Sequence, residues 1–145
     1  MAHWGVTLIS FSAPLGYLFI DWNPMIQFTH RVLENGIVIV ALGGHLDGAA
    51  CEYFFECMQS VLEDGHQVIV VDVNELGYVS SLGLGMLIRG QSRLRRRGGE
   101  LHLANVQGAV AEALRITHLN RLFDIHDSVE AAIAAVSSEE GQPDN

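Results

Sequence analysis

The residues best suited to chemistry are two adjacent serines, Ser80 and Ser81. They follow the apolar run Val68-Ile69-Val70-Val71-Asp72-Val73 and the dipeptide Tyr78-Val79, and they precede Leu82-Gly83-Leu84-Gly85. An apolar run ending in an acid, then serines, then apolar residues at helical spacing, predicts a strand, a loop and a helix start with the serines at the cap. A helix N-terminus carries unpaired amides and partial positive charge, so it tolerates an anion attached to a serine there. A phosphate would bring about −1.5 to −2 charges to the spot at neutral pH, enough to make the turn a switch on a contact surface. A plain helix cap is the simpler use of the same pair.

Other candidate chemistry is sparse. His3, His30, His45, His66, His102, His118 and His126 are spread along the chain without ligand spacing, and no metal or other cofactor is expected. Gly83 and Gly85 do not lead into the Lys-Ser or Lys-Thr of a phosphate-cradling loop. Asp47 and Asp72 are read at strand ends, as caps or acceptors of backbone bonds and not as a catalytic pair; Asp72 is also a candidate to orient Ser81 during phosphorylation. The basic run Arg89, Arg93, Arg95, Arg96 and Arg97 fits a solvated helix C-terminus, where cations favour the dipole, ahead of a patch for an anionic partner.

The elements that must position the serines follow from hydrophobic spacing. Phe28–Leu33 and Ile37–Leu42 flank Glu34-Asn35-Gly36, and Asn-Gly between apolar runs predicts a hairpin whose two turn residues take positive φ. Gly43-Gly44-His45-Leu46-Asp47-Gly48 reads as the loop out, with Asp47 capping a helix from about Ala49 to Glu63. On that helix Cys51, Phe54, Met58, Val61 and Leu62 share an apolar face, opposite Glu52, Glu56, Gln59 and Glu63, and Gly65 ends it. Val68–Val73 has the branched apolar composition of a central strand covered on both faces. Leu84, Leu87, Ile88 and Leu94 give a second helix that stops at Gly98-Gly99. Leu101–Val106 predicts a strand, Val110–Thr117 a helix, Leu122–Ile125 a short strand, and Ser128 caps a last helix over Val129–Val136. A hairpin followed by helix and strand units predicts an α/β fold, a mixed sheet with helices stacked against it.

Composition bounds the function. The 145 residues are 49% hydrophobic, enough for one folded domain with its own core. Eight basic against 17 acidic residues give a net charge of −9, which disfavours nucleic acid and favours neutral or basic protein partners. Cys51 and Cys57 are turned to different faces of their helix, so a mutual disulfide is not expected and a reducing, cytoplasmic location is. Trp4 to Ile20 holds no charged side chain, but no Lys or Arg precedes it and Gly5, Pro14 and Gly16 interrupt it, so stable membrane insertion is not expected. The expected division is an N-terminal extension over 1–25, which need not be native, a domain over 26–136, and a polar, disordered tail over 137–145.

The order of elements, Gly44-His45-Leu46-Asp47, Val70-Val71-Asp72-Val73 and Tyr78-Val79-Ser80-Ser81-Leu82-Gly83-Leu84 together resemble a STAS domain of the anti-sigma factor antagonist family. Leu94-Arg95-Arg96-Arg97-Gly98-Gly99-Glu100-Leu101 and Leu119-Asn120-Arg121-Leu122-Phe123 extend the resemblance over about residues 26 to 136. It implies a partner-switching protein, not an enzyme: one that binds an anti-sigma factor, often a serine kinase, and so frees a sigma factor. Phosphorylation of one serine by that kinase ends the binding, and a serine phosphatase restores it. In the family patterns Asp-Ser-Ser-Gly and Ser-Ser-Ala-Gly the modified residue is the second, which falls on Ser81. Ser80 stands where many relatives have Asp, and Leu82 where Ser or Ala is usual, which puts a larger apolar side chain beside the phosphosite. The expected partner surface comprises Gly44, His45, Leu46, Asp47, Tyr53, Ser80, Ser81, Leu82 and Gly83, with Asp72 in support. The alternatives that the resemblance leaves for this chain are a subunit of a phospholipid-transporting ABC complex and a scaffold subunit of a stress-sensing assembly.

Overall fold

A computed structural model of the chain describes residues 3–6 and 26–140. The predicted hairpin is present, with β2 over Ile26–Val32 paired antiparallel to β3 over Val38–Leu46. Its turn differs from the expected one. Gly36 N donates to Leu33 O at 2.9 Å and Leu33 N donates to Ile37 O at 2.8 Å, so a turn over residues 33–36 is followed by a one-residue bulge. Only Gly36 needs positive φ, at 91°, while Asn35 stays out of that region and uses its Oδ1 to accept from Ile37 N at 3.2 Å.

The remaining elements are α1 (Ala49–Glu63), β4 (Val68–Val79), α2 (Ser81–Arg96), β5 (Glu100–Ala104), α3 (Gly108–Ile116), a short 3-10 turn (Leu119–Arg121), β6 (Asp124–His126) and α4 (Val129–Glu140). A further strand, β1 over His3–Val6, pairs antiparallel with β2, within the stretch expected to be an extension. The rest of that extension lies outside the described residues, as does the chain after Glu140. The last helix runs past the expected end at Val136 to Glu140. The sheet order is β1-β2-β3-β4-β5-β6, antiparallel across the first three strands and parallel across the last four. The predicted mixed α/β sheet is thus the observed one.

The two-residue period of the strands sorts the core into two layers. Val38, Val40, Leu42, Ile69, Val71, Leu101 and Leu103 pack with Phe54 of α1, Leu87 and Leu94 of α2 and Leu114 of α3. The alternate residues Ile37, Ile39, Val70 and Ala104 pack with Val129, Ala132 and Val136 of α4. The central strands are therefore covered on both faces, which is why Val68–Val73 is almost uniformly apolar. Ser128 caps α4 as expected, its Oγ accepting from Ala131 N at 3.0 Å. The arginine run joins helices rather than only meeting solvent: Arg97 donates to Leu62 O and His66 O, both at 2.8 Å, and Arg93 bonds Gln59. No helix among the described residues is long and apolar enough to cross a membrane.

Candidate functional site

Parallel pairing of β3 with β4 brings two helix starts side by side. Leu46 pairs with Val79 at the ends of the strands, after which the chain enters α1 through Asp47-Gly48 and α2 through Ser80. Three expectations fail at this edge. Gly43–Leu46 continue β3 instead of forming a loop, because the ladder to β4 absorbs irregularities between Ala41 and Gly43 and between Gly44 and His45 and then resumes. For the same reason Asn74–Val79, which read as a loop, stays in β4 until the residue before Ser80. Asp47 does not cap α1: Gly48 is the N-cap, without a side-chain bond, and Asp47 contributes its carbonyl to Ala50 N at 3.0 Å.

Ser80 and Ser81 have separate roles. Ser80 is the N-cap of α2, with extended backbone at φ −88° and ψ 173°. Its Oγ accepts from Gly83 N at 3.1 Å and donates to Leu46 O at 3.2 Å, and its N donates to the same carbonyl at 3.0 Å. Both roles of the hydroxyl are filled. Ser81 is the first residue of α2, is exposed, and its hydroxyl has no hydrogen-bond partner among the described residues.

Around this pair the surface is apolar with acidic edges. Leu82 is 52% exposed and Tyr78 45%, both large values for such side chains. Tyr78 meets the exposed His45 edge-on, with ring centroids 6.3 Å apart. Beside Leu82 a groove of about 320 Å³ runs between α1 and α2, lined by Cys51, Glu52, Phe55, Glu56, Leu82 and Met86. Arg89 lies over the Phe55 ring at 5.1 Å at the far side. Phe55, Met86 and Tyr78 were not among the expected contact residues; Phe55 is an aromatic on the polar side of α1, Met86 an apolar residue of α2 beside Leu82, and Tyr78 an exposed aromatic near the end of β4.

Several expected contact residues are structural. Leu46 is fully buried and Gly83 is buried, so neither offers a side chain to a partner. A Cβ on Gly83 would stand 2.7 Å from Leu46 O and 2.9 Å from both Leu46 Cγ and Val79 Cγ2, so glycine lets α2 start flush against the strand ends. Tyr53 is half-buried against the core and does not line the groove; burial, with Cys57 beside it, pushes its hydroxyl up to about 12. Gly44 is half-buried in β3. Asp72 does not support Ser81. It sits mid-strand opposite Ala41 and Ala104, its carboxylate accepting from Asn74 N at 3.0 Å and Asn105 Nδ2 at 2.9 Å. At about 3.3 Å per strand residue it lies more than 20 Å of chain from the serines. His45, Asp47, Ser80, Ser81 and Leu82 are what the structure gathers at the accessible edge.

Both cysteines are free and buried. Burial pushes the Cys51 thiol up, opposed by Ser80 and aided by Asp47, and pushes the Cys57 thiol up to about 12.

Comparison with known proteins agrees with this architecture. The STAS domain family matches residues 25–132. A protein of Bordetella bronchiseptica designated anti-sigma factor antagonist BtrV is 31% identical over 101 residues, which span 70% of this chain and 87% of that protein. Among solved structures, an anti-sigma factor antagonist from Mycobacterium paratuberculosis superposes with a TM-score of 0.72 at 19% identity, covering 81% of this chain and 99% of that one. The anti-sigma factor antagonist SpoIIAA superposes in its unphosphorylated form with a TM-score of 0.68 at 21% identity, over 77% of this chain and 96% of that one. In its phosphorylated form the TM-score is 0.61 at 20% identity, over 75% and 98%. The chain belongs to the STAS domain family, as a relative of the anti-sigma factor antagonists.

Proposed function

We propose that this chain is an anti-sigma factor antagonist that docks on an anti-sigma factor with serine-kinase activity, and that phosphorylation of Ser81 ends the interaction. The observation that carries the reading is the contrast between the two serines. Ser80 spends its hydroxyl on Gly83 N and Leu46 O, whereas Ser81 presents an unpartnered, exposed hydroxyl one residue on, next to Leu82 and the groove. A kinase needs a hydroxyl it can reach, and only the second meets that need.

The switch follows from charge and desolvation. Leu82, Tyr78 and the groove offer apolar area that a partner can bury, and Glu52 and Glu56 give the groove an acidic rim suited to a basic residue of that partner. A phosphate on Ser81 sits at the positive end of α2, so the free protein accommodates it. In the complex the same dianion is taken from water without a countercharge. A charge left unpaired in an interface costs about 2–5 kcal/mol, or roughly thirty-fold or more in affinity. The domain need not refold, since the backbone amides that hold α2 in place are already bonded to Ser80 and Leu46. A serine phosphatase acting on the phosphorylated form resets the switch.

The test is to incubate the full chain with ATP and the anti-sigma serine kinase of the same organism and to map the product by tandem mass spectrometry. A single phosphate on Ser81, absent in Ser81→Ala and retained in Ser80→Ala, is expected. A phosphate on Ser80, or none, overturns the assignment.

A further inference from the structure

We infer that Glu100, His102, Asp124 and His126 build a site for a divalent transition-metal cation of the zinc class, away from the serine edge and independent of it. The parallel register of β5 and β6 sets His102 opposite Asp124 and Ala104 opposite His126. With side chains alternating along each strand, residues 100 and 102 share a sheet face, as do 124 and 126, and this is the face on which α4 packs. His102 is only 3% exposed. Its Nε2 lies 2.9 Å from Glu100 Oε1, and its Nδ1 lies 3.0 Å from His126 Nε2 and 3.9 Å from Asp124 Oδ2.

These distances assign roles. A carboxylate only accepts, so Nε2 of His102 donates to Glu100, which leaves Nδ1 as the nitrogen to face a cation. Beside that nitrogen stand a second imidazole nitrogen and a carboxylate oxygen. Ligand atoms about 2.0–2.1 Å from a tetrahedral cation lie roughly 3.3 Å apart, so the two imidazole nitrogens at 3.0 Å need open only slightly, while the exposed Asp124, whose ligand atom falls within 4.8 Å of those of Glu100 and His102, swings in to meet them. Glu100 then acts as the outer carboxylate that orients a metal-bound histidine. Asp124 is exposed, with side-chain accessibility of 62%, and leaves the fourth position to water. Two imidazoles and one carboxylate select zinc, cobalt or nickel over magnesium or calcium. A hydrogen bond from His126 to His102 explains the 3.0 Å contact alone, but gives no part to Asp124. Linear spacing hid the group, because it arises from strand pairing and not from a local motif.

The test uses the full chain, stripped with chelator and titrated with Co²⁺, whose absorption reports its ligands, and with Zn²⁺ by calorimetry. One cation per chain is expected. Because the cation ties the short edge strand β6 to β5, the Tm should rise by about 5–10 °C at a concentration 100-fold above Kd. Asp124→Asn and His126→Gln, whose side chains are more accessible than that of His102, should each weaken binding at least ten-fold, and Glu100→Gln about ten-fold, with the circular dichroism of the apoprotein unchanged. No uptake at millimolar Co²⁺ overturns the site, and so does uptake that Asp124→Asn and His126→Gln leave unaltered.

Discussion

Replacing each serine with alanine separates the cap from the modification site. Ser80→Ala removes the acceptor of Gly83 N at 3.1 Å and the donor to Leu46 O at 3.2 Å. Loss of an N-cap side chain costs about 1 kcal/mol. The second bond adds less, about 0.5 kcal/mol, because Ser80 N still donates to Leu46 O at 3.0 Å. The sum, about 1.5 kcal/mol, corresponds to a fall of roughly 3–6 °C in Tm for a domain of this size. Ser81→Ala deletes an exposed hydroxyl without partners and should change stability by no more than about 0.5 kcal/mol. Urea unfolding of the three proteins reads this directly, as a lower midpoint with unchanged slope for Ser80→Ala alone. Equal losses for the two variants, or a larger loss for Ser81→Ala, would refute the division of labour between the serines.

Gly83→Ala should lower stability by about 1–3 kcal/mol in the same assay, since its methyl meets a backbone carbonyl and two core carbons inside 3 Å. Leu82→Ala, at a half-exposed position, should leave the unfolding midpoint nearly unchanged while weakening anti-sigma factor binding by about ten-fold, measured by calorimetry. The thiols should report folding. With Cys57 pushed up to about 12 and Cys51 also raised, both stay protonated through neutral pH, so alkylation at pH 8 should be slow in the native protein and fast once urea unfolds it. Rapid labelling of Cys57 in the folded state would contradict its burial.

The layers of this fold are legible in the chain because they rest on periodicity. The apolar stripe from Cys51 to Leu62 and the run Val68–Val73 declare a one-sided helix and a two-sided strand, and both are observed. Pairing is less visible. Asn74–Val79 and Gly43–Leu46 carry the turn formers Asn, Gly and Asp nearby and lose the alternation, yet each holds the other in the sheet through a bulged parallel ladder. Asp47 has the chemistry of a cap and stands one residue too early, because the strand delivers the chain to α1 through Gly48. The last strand starts at Asp124, two residues after its expected start at Leu122, since Phe123 turns into the core. At the site, the capping role of a serine was readable, but the division between Ser80 and Ser81 depends on where β4 stops. The cluster around His102 depends wholly on the register of β5 against β6.

In the proposed switch, charge at Ser81 decides docking. The direct measurement is the affinity of the purified anti-sigma factor for the unmodified chain and for the chain carrying phosphate on Ser81, made side by side by calorimetry or surface plasmon resonance. The phosphorylated form should bind at least about thirty-fold more weakly, with its unfolding midpoint unchanged. Equal affinities for the two forms would contradict it.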